Sequence, residues 1–191
     1  MFIKSFNELN NHDAPIAGGK GASLGELTQA GISVPPWFVV LAGTFEKFLA
    51  ETDLSVEIEA ILKTVEIDKM HTVEHAAEKI QALILAAKMP ENIAKEIMKG
   101  YRTLYKPHPS PLLIKERGQE ELVAVRSSAT AEDSLEAAWA GQLESYLNTT
   151  EKDLLTNVKK CWASLFSSRA IFYRCEKNLK LSWIKIFRSR G

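Results

Sequence analysis

The sequence predicts a mixed α/β domain in which a small helical cap packs on a mixed sheet. Three observations carry that prediction. Residues 55–105 hold three consecutive apolar stripes at helical spacing. Two runs, 37–41 and 122–128, are apolar enough and short enough to read as strands. A glycine-bearing segment, 18–25, opens a helix near the start of the chain.

Composition bounds the possibilities. The 191 residues are 46% apolar and 25% charged, which excludes a disordered tail, a collagen-like repeat and a disulfide miniprotein. Lys plus Arg is 24 and Asp plus Glu is 24, so charge gives no case for nucleic acid or an anionic membrane surface. Met1-Phe2-Ile3-Lys4 leads directly into polar residues, unlike a signal peptide, and no apolar run reaches the roughly 18 residues of a membrane span. The expected location is the cytoplasm. Cys161 and Cys175 lack CxxC or Cys/His spacing, which favours buried or half-buried thiols over a metal or redox pair.

Taken in order, Gly18-Gly19-Lys20-Gly21-Ala22-Ser23-Leu24-Gly25 leads into a helix through Glu26, Leu27 and Gln29, and Gly31 is placed to end it. Pro35-Pro36 puts the strand at Trp37–Leu41 at a sheet edge or start. Thr44 is the expected cap of a helix containing Phe45, Phe48 and Leu49. The three stripes follow, through Ile58 and Ile61, then Ile80 and Ile84, then Ile93 and Ile97, with Pro90 at the start of the third. Residues 107–111, Pro-His-Pro-Ser-Pro, cannot continue a helix and mark a linker. A strand over 122–128 has its partner over 142–147, and Thr150 caps a last helix carrying Leu154, Val158, Cys161 and Trp162. Helical character resumes through Ile171 and Phe172.

Three segments can carry chemistry. In the first, small residues let the backbone approach a ligand, the following helix offers free N–H groups, and Lys20 adds a positive charge. Ala14 and Gly21 stand where a Walker A loop needs Gly and Ser or Thr, so phosphate binding and an ordinary flexible turn both remain open. In the second, Leu122, Ala124 and Arg126 share one side of a strand, which sets Arg126 at the end of an apolar face beside Ser127, Ser128 and Thr130. Its guanidinium suits either a phosphate or an ion pair with Glu132 or Asp133. In the third, Gly141 permits close backbone approach, and Ser145 interrupts the apolar side formed by Leu143 and Leu147. Ser145 reads as a ligand hydroxyl or as a buried serine satisfied by backbone. Glu132, Asp133 and Glu144 fit solvated loop carboxylates better than a magnesium site, and His71 with His75 fits an exposed helix face better than a metal pair.

Together these segments resemble the phosphoenolpyruvate synthase and pyruvate phosphate dikinase family. The resemblance rests on residues 18–27 (GGKGASLGEL), 32–38 (ISVPPWF), 123–133 (VAVRSSATAED), 140–148 (AGQLESYLN) and 168–174 (SRAIFYR), and it covers about 1–178. It implies an ATP-grasp-type N-terminal lobe, with a helical subdomain over about 55–106, that binds ATP. Lys20 and Arg126 would hold its phosphates, and Gly141 and Ser145 would line the same site. The family uses ATP and magnesium to phosphorylate a histidine on another domain, which passes the group to pyruvate. Rifampicin phosphotransferase shares these motifs and is an alternative reading, as is a non-catalytic nucleotide-binding module.

The chain also departs from the family pattern. The resemblance places the second ATP lobe, the magnesium ligands and the phosphohistidine domain outside these 191 residues. None of His12, His71, His75 or His108 has the context of the phosphocarrier. The tail over 179–191 is basic and aromatic, which suggests truncation, a shifted reading frame, an artificial terminus or a product with no function of its own. The expectation is one wall of a nucleotide cleft, without turnover of pyruvate or rifampicin by this chain alone.

Overall fold

The computed structural model describes residues 1–5, 7–104, 122–128 and 144–176. The elements run β1 (Ile3–Ser5), a 3-10 turn (Asn11–Asp13), α1 (Ala14–Gln29), β2 (Phe38–Val40), α2 (Ala42–Glu51), α3 (Leu54–Lys63), α4 (Met70–Ala86) and α5 (Glu91–Leu104). They continue with β3 (Val123–Arg126), β4 (Ser145–Thr149), α6 (Leu154–Ser164) and α7 (Ser168–Glu176). The fold is mixed α/β. The Pro-rich linker, Gly141 and the 179–191 tail lie outside the described residues.

The sheet expectation needs correcting. In place of one mixed sheet, the described strands form two separate antiparallel pairs, β1 with β2 and β3 with β4. Strands of three to five residues cannot bury a face of their own. The core is therefore helical. Phe45 and Phe48 from α2, Ile80 and Ile84 from α4, Ile93 and Ile97 from α5, Trp162 from α6 and Ile171 from α7 join one apolar cluster. Phe45 and Phe48 each meet Trp162, with ring centroids 5.2 and 5.1 Å apart. The three stripes read from sequence are α3, α4 and α5, each burying its periodic face.

The start of the chain is tied down by polar contacts. The backbone N–H groups of Phe2 and Ile3 donate to Glu96 Oε1 on α5, the second at 3.0 Å. Ile3 pairs with Val40 and Ser5 with Phe38. Thr44 does not cap α2. The N-cap is Leu41, and buried Thr44 lies in the first turn, its hydroxyl donating to the Phe2 carbonyl at 2.7 Å. Its hydroxyl joins two elements because the backbone strand beside it leaves a carbonyl within reach. Thr150 is one turn early: α6 starts at Leu154, and Thr150 instead bonds Asp153, donating to Oδ2 at 2.7 Å.

Helix α1 begins earlier than its glycines suggest. Asn10 and Asp13 form a capping box at the 3-10 turn, Pro15 occupies the first turn of α1, and the axis breaks at Gly18 (φ 75°, ψ 162°) before helix resumes. The far end matches expectation. Gly31 has φ 76°, its N–H donates to Thr28 O at 3.1 Å, and Ile32 N–H donates to Leu27 O at 3.0 Å. Those two bonds make a Schellman stop.

Candidate functional site

The glycine-rich segment and the end of β3 meet. Gly18 takes a backbone conformation essentially restricted to glycine, and a Cβ added there would stand 2.2 Å from Ser128 Oγ and 2.6 Å from its carbonyl oxygen. Three residues on, the Gly21 N–H donates to Ser128 Oγ at 3.3 Å. On its other side Gly21 faces β2, where a Cβ would lie 3.0 Å from Val39 Cγ2. The break at Gly18 makes Gly19, Lys20 and Gly21 the first residues of a resumed helical stretch. Lys20 is exposed between the two glycines that touch Ser128.

Arg126 closes β3 two residues before Ser128, and its cross-strand partner is Ser145. Two candidates read from different segments are thus neighbours on one antiparallel strand pair. The faces are the reverse of the sequence expectation. Val123 and Val125 pack toward the core, while Leu122 (46% exposed), Ala124 and Arg126 face outward. Ser145 and Leu147 are exposed as well, and Tyr146 and Thr149 take the inner side. Either alternation of this apolar run can be the buried one, and the core takes Val123 and Val125. Ser145 is therefore a surface hydroxyl beside Arg126, not one interrupting a buried face.

Several contacts hold the β3–β4 pair in place. The Ser127 N–H and hydroxyl both donate to the Glu144 carbonyl, at 3.4 and 3.3 Å. The buried Asn157 of α6 donates to Thr149 Oγ1 at 3.0 Å, and Lys160 Nζ lies 5.2 Å from the centre of the Tyr146 ring. Asn148 sits at φ 53° inside β4, at the register shift between the Val125–Tyr146 and Val123–Thr149 pairs. Behind it Cys161 is buried, and burial together with the Glu144 carboxylate pushes its thiol up to about 12. Cys161 and Cys175 are both buried free thiols.

Among the described residues, no group of three His, Cys, Asp or Glu side chains is arranged to hold a metal. His71 and His75 are exposed on α4, Glu144 is exposed, and Glu132 and Asp133 lie outside the described residues. The arrangement joins the segment bearing Lys20 to the strand end bearing Arg126, with the Ser128 and Ser145 hydroxyls nearby. Such a set neutralises and orients phosphate oxygens. Lys20, Arg126 and Ser145 were legible as candidates in the sequence. Ser128 stood out only as one of several hydroxyls, because the glycine contact that singles it out spans 107 residues.

Residues 14–186 match the pyruvate phosphate dikinase AMP/ATP-binding domain. The chain is 42% identical over 187 residues to a probable phosphoenolpyruvate synthase of Methanothermobacter thermautotrophicus, covering 97% of this chain and 26% of that protein. It is 45% identical over 175 residues to a probable phosphoenolpyruvate synthase of Methanocaldococcus jannaschii, covering 91% and 14% respectively. With phosphoenolpyruvate synthase of Pyrococcus furiosus it shares 38% over 210 residues, covering 92% and 25%. The chain spans about a quarter or less of the length of these relatives. Among the described residues, no helix is long and apolar enough to cross a membrane.

Proposed function

Because this chain belongs to the pyruvate phosphate dikinase AMP/ATP-binding domain family, we propose that it is the N-terminal, ATP-grasp-type lobe of a phosphoenolpyruvate synthase-like dikinase. In this reading Lys20 and Arg126 hold the ATP phosphates, and Gly141 and Ser145 line the same site. The whole enzyme then phosphorylates a histidine on another domain and, through it, pyruvate. The domains follow the same proposal: residues 1–178 form the ATP lobe with a helical subdomain over about 55–106, and 179–191 form an atypical tail.

The observation that carries the reading is the Gly21–Ser128 contact, which joins the segment bearing Lys20 to the strand bearing Arg126. Phosphoryl transfer asks the protein mainly for positioning and for neutralisation of charge. A lysine and an arginine on two elements, with hydroxyls between them, answer that demand. The family resemblance, in which the second ATP lobe supplies the magnesium ligands, leads us to propose that magnesium is held by groups outside this chain. On the same reading the acceptor histidine and the substrate site belong to other domains, and this chain alone is expected to bind ATP without turning over pyruvate.

The test is an ATP titration of the 191-residue chain followed through backbone amide shifts. The largest changes are expected at Gly19–Gly21, Arg126–Ser128 and Ser145. Shifts confined to α3–α5 would count against this assignment.

A further inference from the structure

We propose that Ser128 is a positioning residue for ATP binding, the clamp that sets where Lys20 stands relative to Arg126. The proposal rests on the reading of those two cations as phosphate ligands. Three observations support it. Lys20 lies between Gly18 and Gly21, and both touch Ser128, one by close backbone packing and the other through its N–H. Gly21 is fenced on its far side by Val39, so contacts from two directions define its place. Ser127 is already committed to the Glu144 carbonyl through its N–H and hydroxyl, which fixes the end of β3 and leaves Ser128 as the link to α1. Ser128 is only two residues beyond Arg126, so little slack separates the clamp from the second cation.

The argument is geometric. Two cations serve one polyphosphate only while their spacing is kept, and a displacement of about 1 Å is enough to cost binding or rate steeply. Losing the hydroxyl would leave the Gly21 N–H without its acceptor and let the Lys20 segment move against the strand. Ser128 therefore acts through Lys20.

A double-mutant cycle tests this, with ATP affinity read by amide-shift titration in the presence of magnesium. Ser128→Ala is expected to weaken ATP about fivefold, the scale of one ordinary hydrogen bond. In a Lys20→Ala background the same change is expected to cost less than about twofold, because the group being positioned is gone. The Gly21 amide should also exchange faster in Ser128→Ala. Equal losses in both backgrounds would make Ser128 merely structural, and tighter ATP binding in Ser128→Ala would make its hydroxyl an obstruction; either overturns the clamp. Should Ser128→Ala fail to fold, Ser128→Cys, close in size and a weak acceptor, runs in the same cycle with the same criteria. Unchanged affinity in Lys20→Ala alone would sink the underlying ATP-site reading, and the clamp with it. A loss there with no coupling to Ser128 sinks the clamp only.

Discussion

Gly21 and Ser128 are bonded through the Gly21 N–H and the serine Oγ at 3.3 Å, across 107 residues of chain. The bond is possible because Gly18, at φ 75° and ψ 162°, lets α1 break and lie against the same serine.

Gly18→Ala should therefore be costly twice over. The backbone conformation alone is worth about 1–3 kcal/mol of strain for a residue with a side chain, and the new Cβ would meet Ser128 Oγ at 2.2 Å. A lower urea midpoint and weaker ATP binding are expected together. A variant with wild-type midpoint and affinity would show that the break at Gly18 is not needed.

Two other helical glycines should respond in opposite directions. A Cβ at Gly25 would stand 2.5 Å from the Leu9 carbonyl oxygen, a backbone atom that cannot swing aside. At Gly43, in the first turn of α2, nothing lies within 4 Å. Gly43→Ala should stabilise by up to about 1 kcal/mol through helix propensity and a less flexible unfolded chain. Gly25→Ala should destabilise despite the same propensity gain. Thermal melts of the two variants decide it, and a shared direction would contradict the packing described for Leu9.

The helices were legible because burial at 3.6-residue spacing leaves a strong mark: Ile58, Ile80 and Ile97 all lie on stripes and all are buried. The Gly31 stop was legible because its chemistry is local. What failed was decided by distant partners. Ile3–Ser5 is too short to announce a strand, and it forms because β2 and Glu96 receive it. Thr44 is used by the Phe2 carbonyl instead of by its own helix. Arg126 was correctly singled out as a strand-end cation, but on the wrong face, since either alternation of an apolar run can be the buried one until the core chooses. Its pairing with Ser145 depends on strand register, and the Gly21–Ser128 contact on tertiary packing; neither is a property of a segment alone.

The 3-10 turn gives a pH prediction. The Asn10 N–H, with Lys4 Nζ at 3.2 Å adding to it, holds the Asp13 carboxyl below its ordinary 3.8. A lowered native value means that the unfolded chain binds the proton more readily, so the contribution is present above about pH 3.8 and fades as the pH falls below it. Asp13→Asn should be less stable than wild type at pH 7, with the gap narrowing near pH 3. Urea unfolding at both values tests it, and a gap that widens in acid would reverse the assigned sign.

Burial pushes the Cys161 thiol to about 12. Since the thiolate is the reactive form, Cys161 should stay unmodified by a disulfide reagent at pH 8 in the folded chain. Buried Cys175 should behave likewise, and both should react on denaturation. Rapid native labelling of Cys161, identified by mass spectrometry, would contradict the packing of α6 behind the β3–β4 pair.

The central claim is that Lys20 and Arg126 are phosphate ligands, and the most direct measurement is the ATP affinity of Lys20→Ala and Arg126→Ala beside wild type, with circular dichroism to check the fold. Each side chain is exposed, so neither change should unfold the chain. Each removes a charge-assisted contact worth about 1.5–3 kcal/mol, so a loss of roughly tenfold or more in affinity is expected from either. Wild-type affinity in both variants, with the fold intact, would contradict the claim.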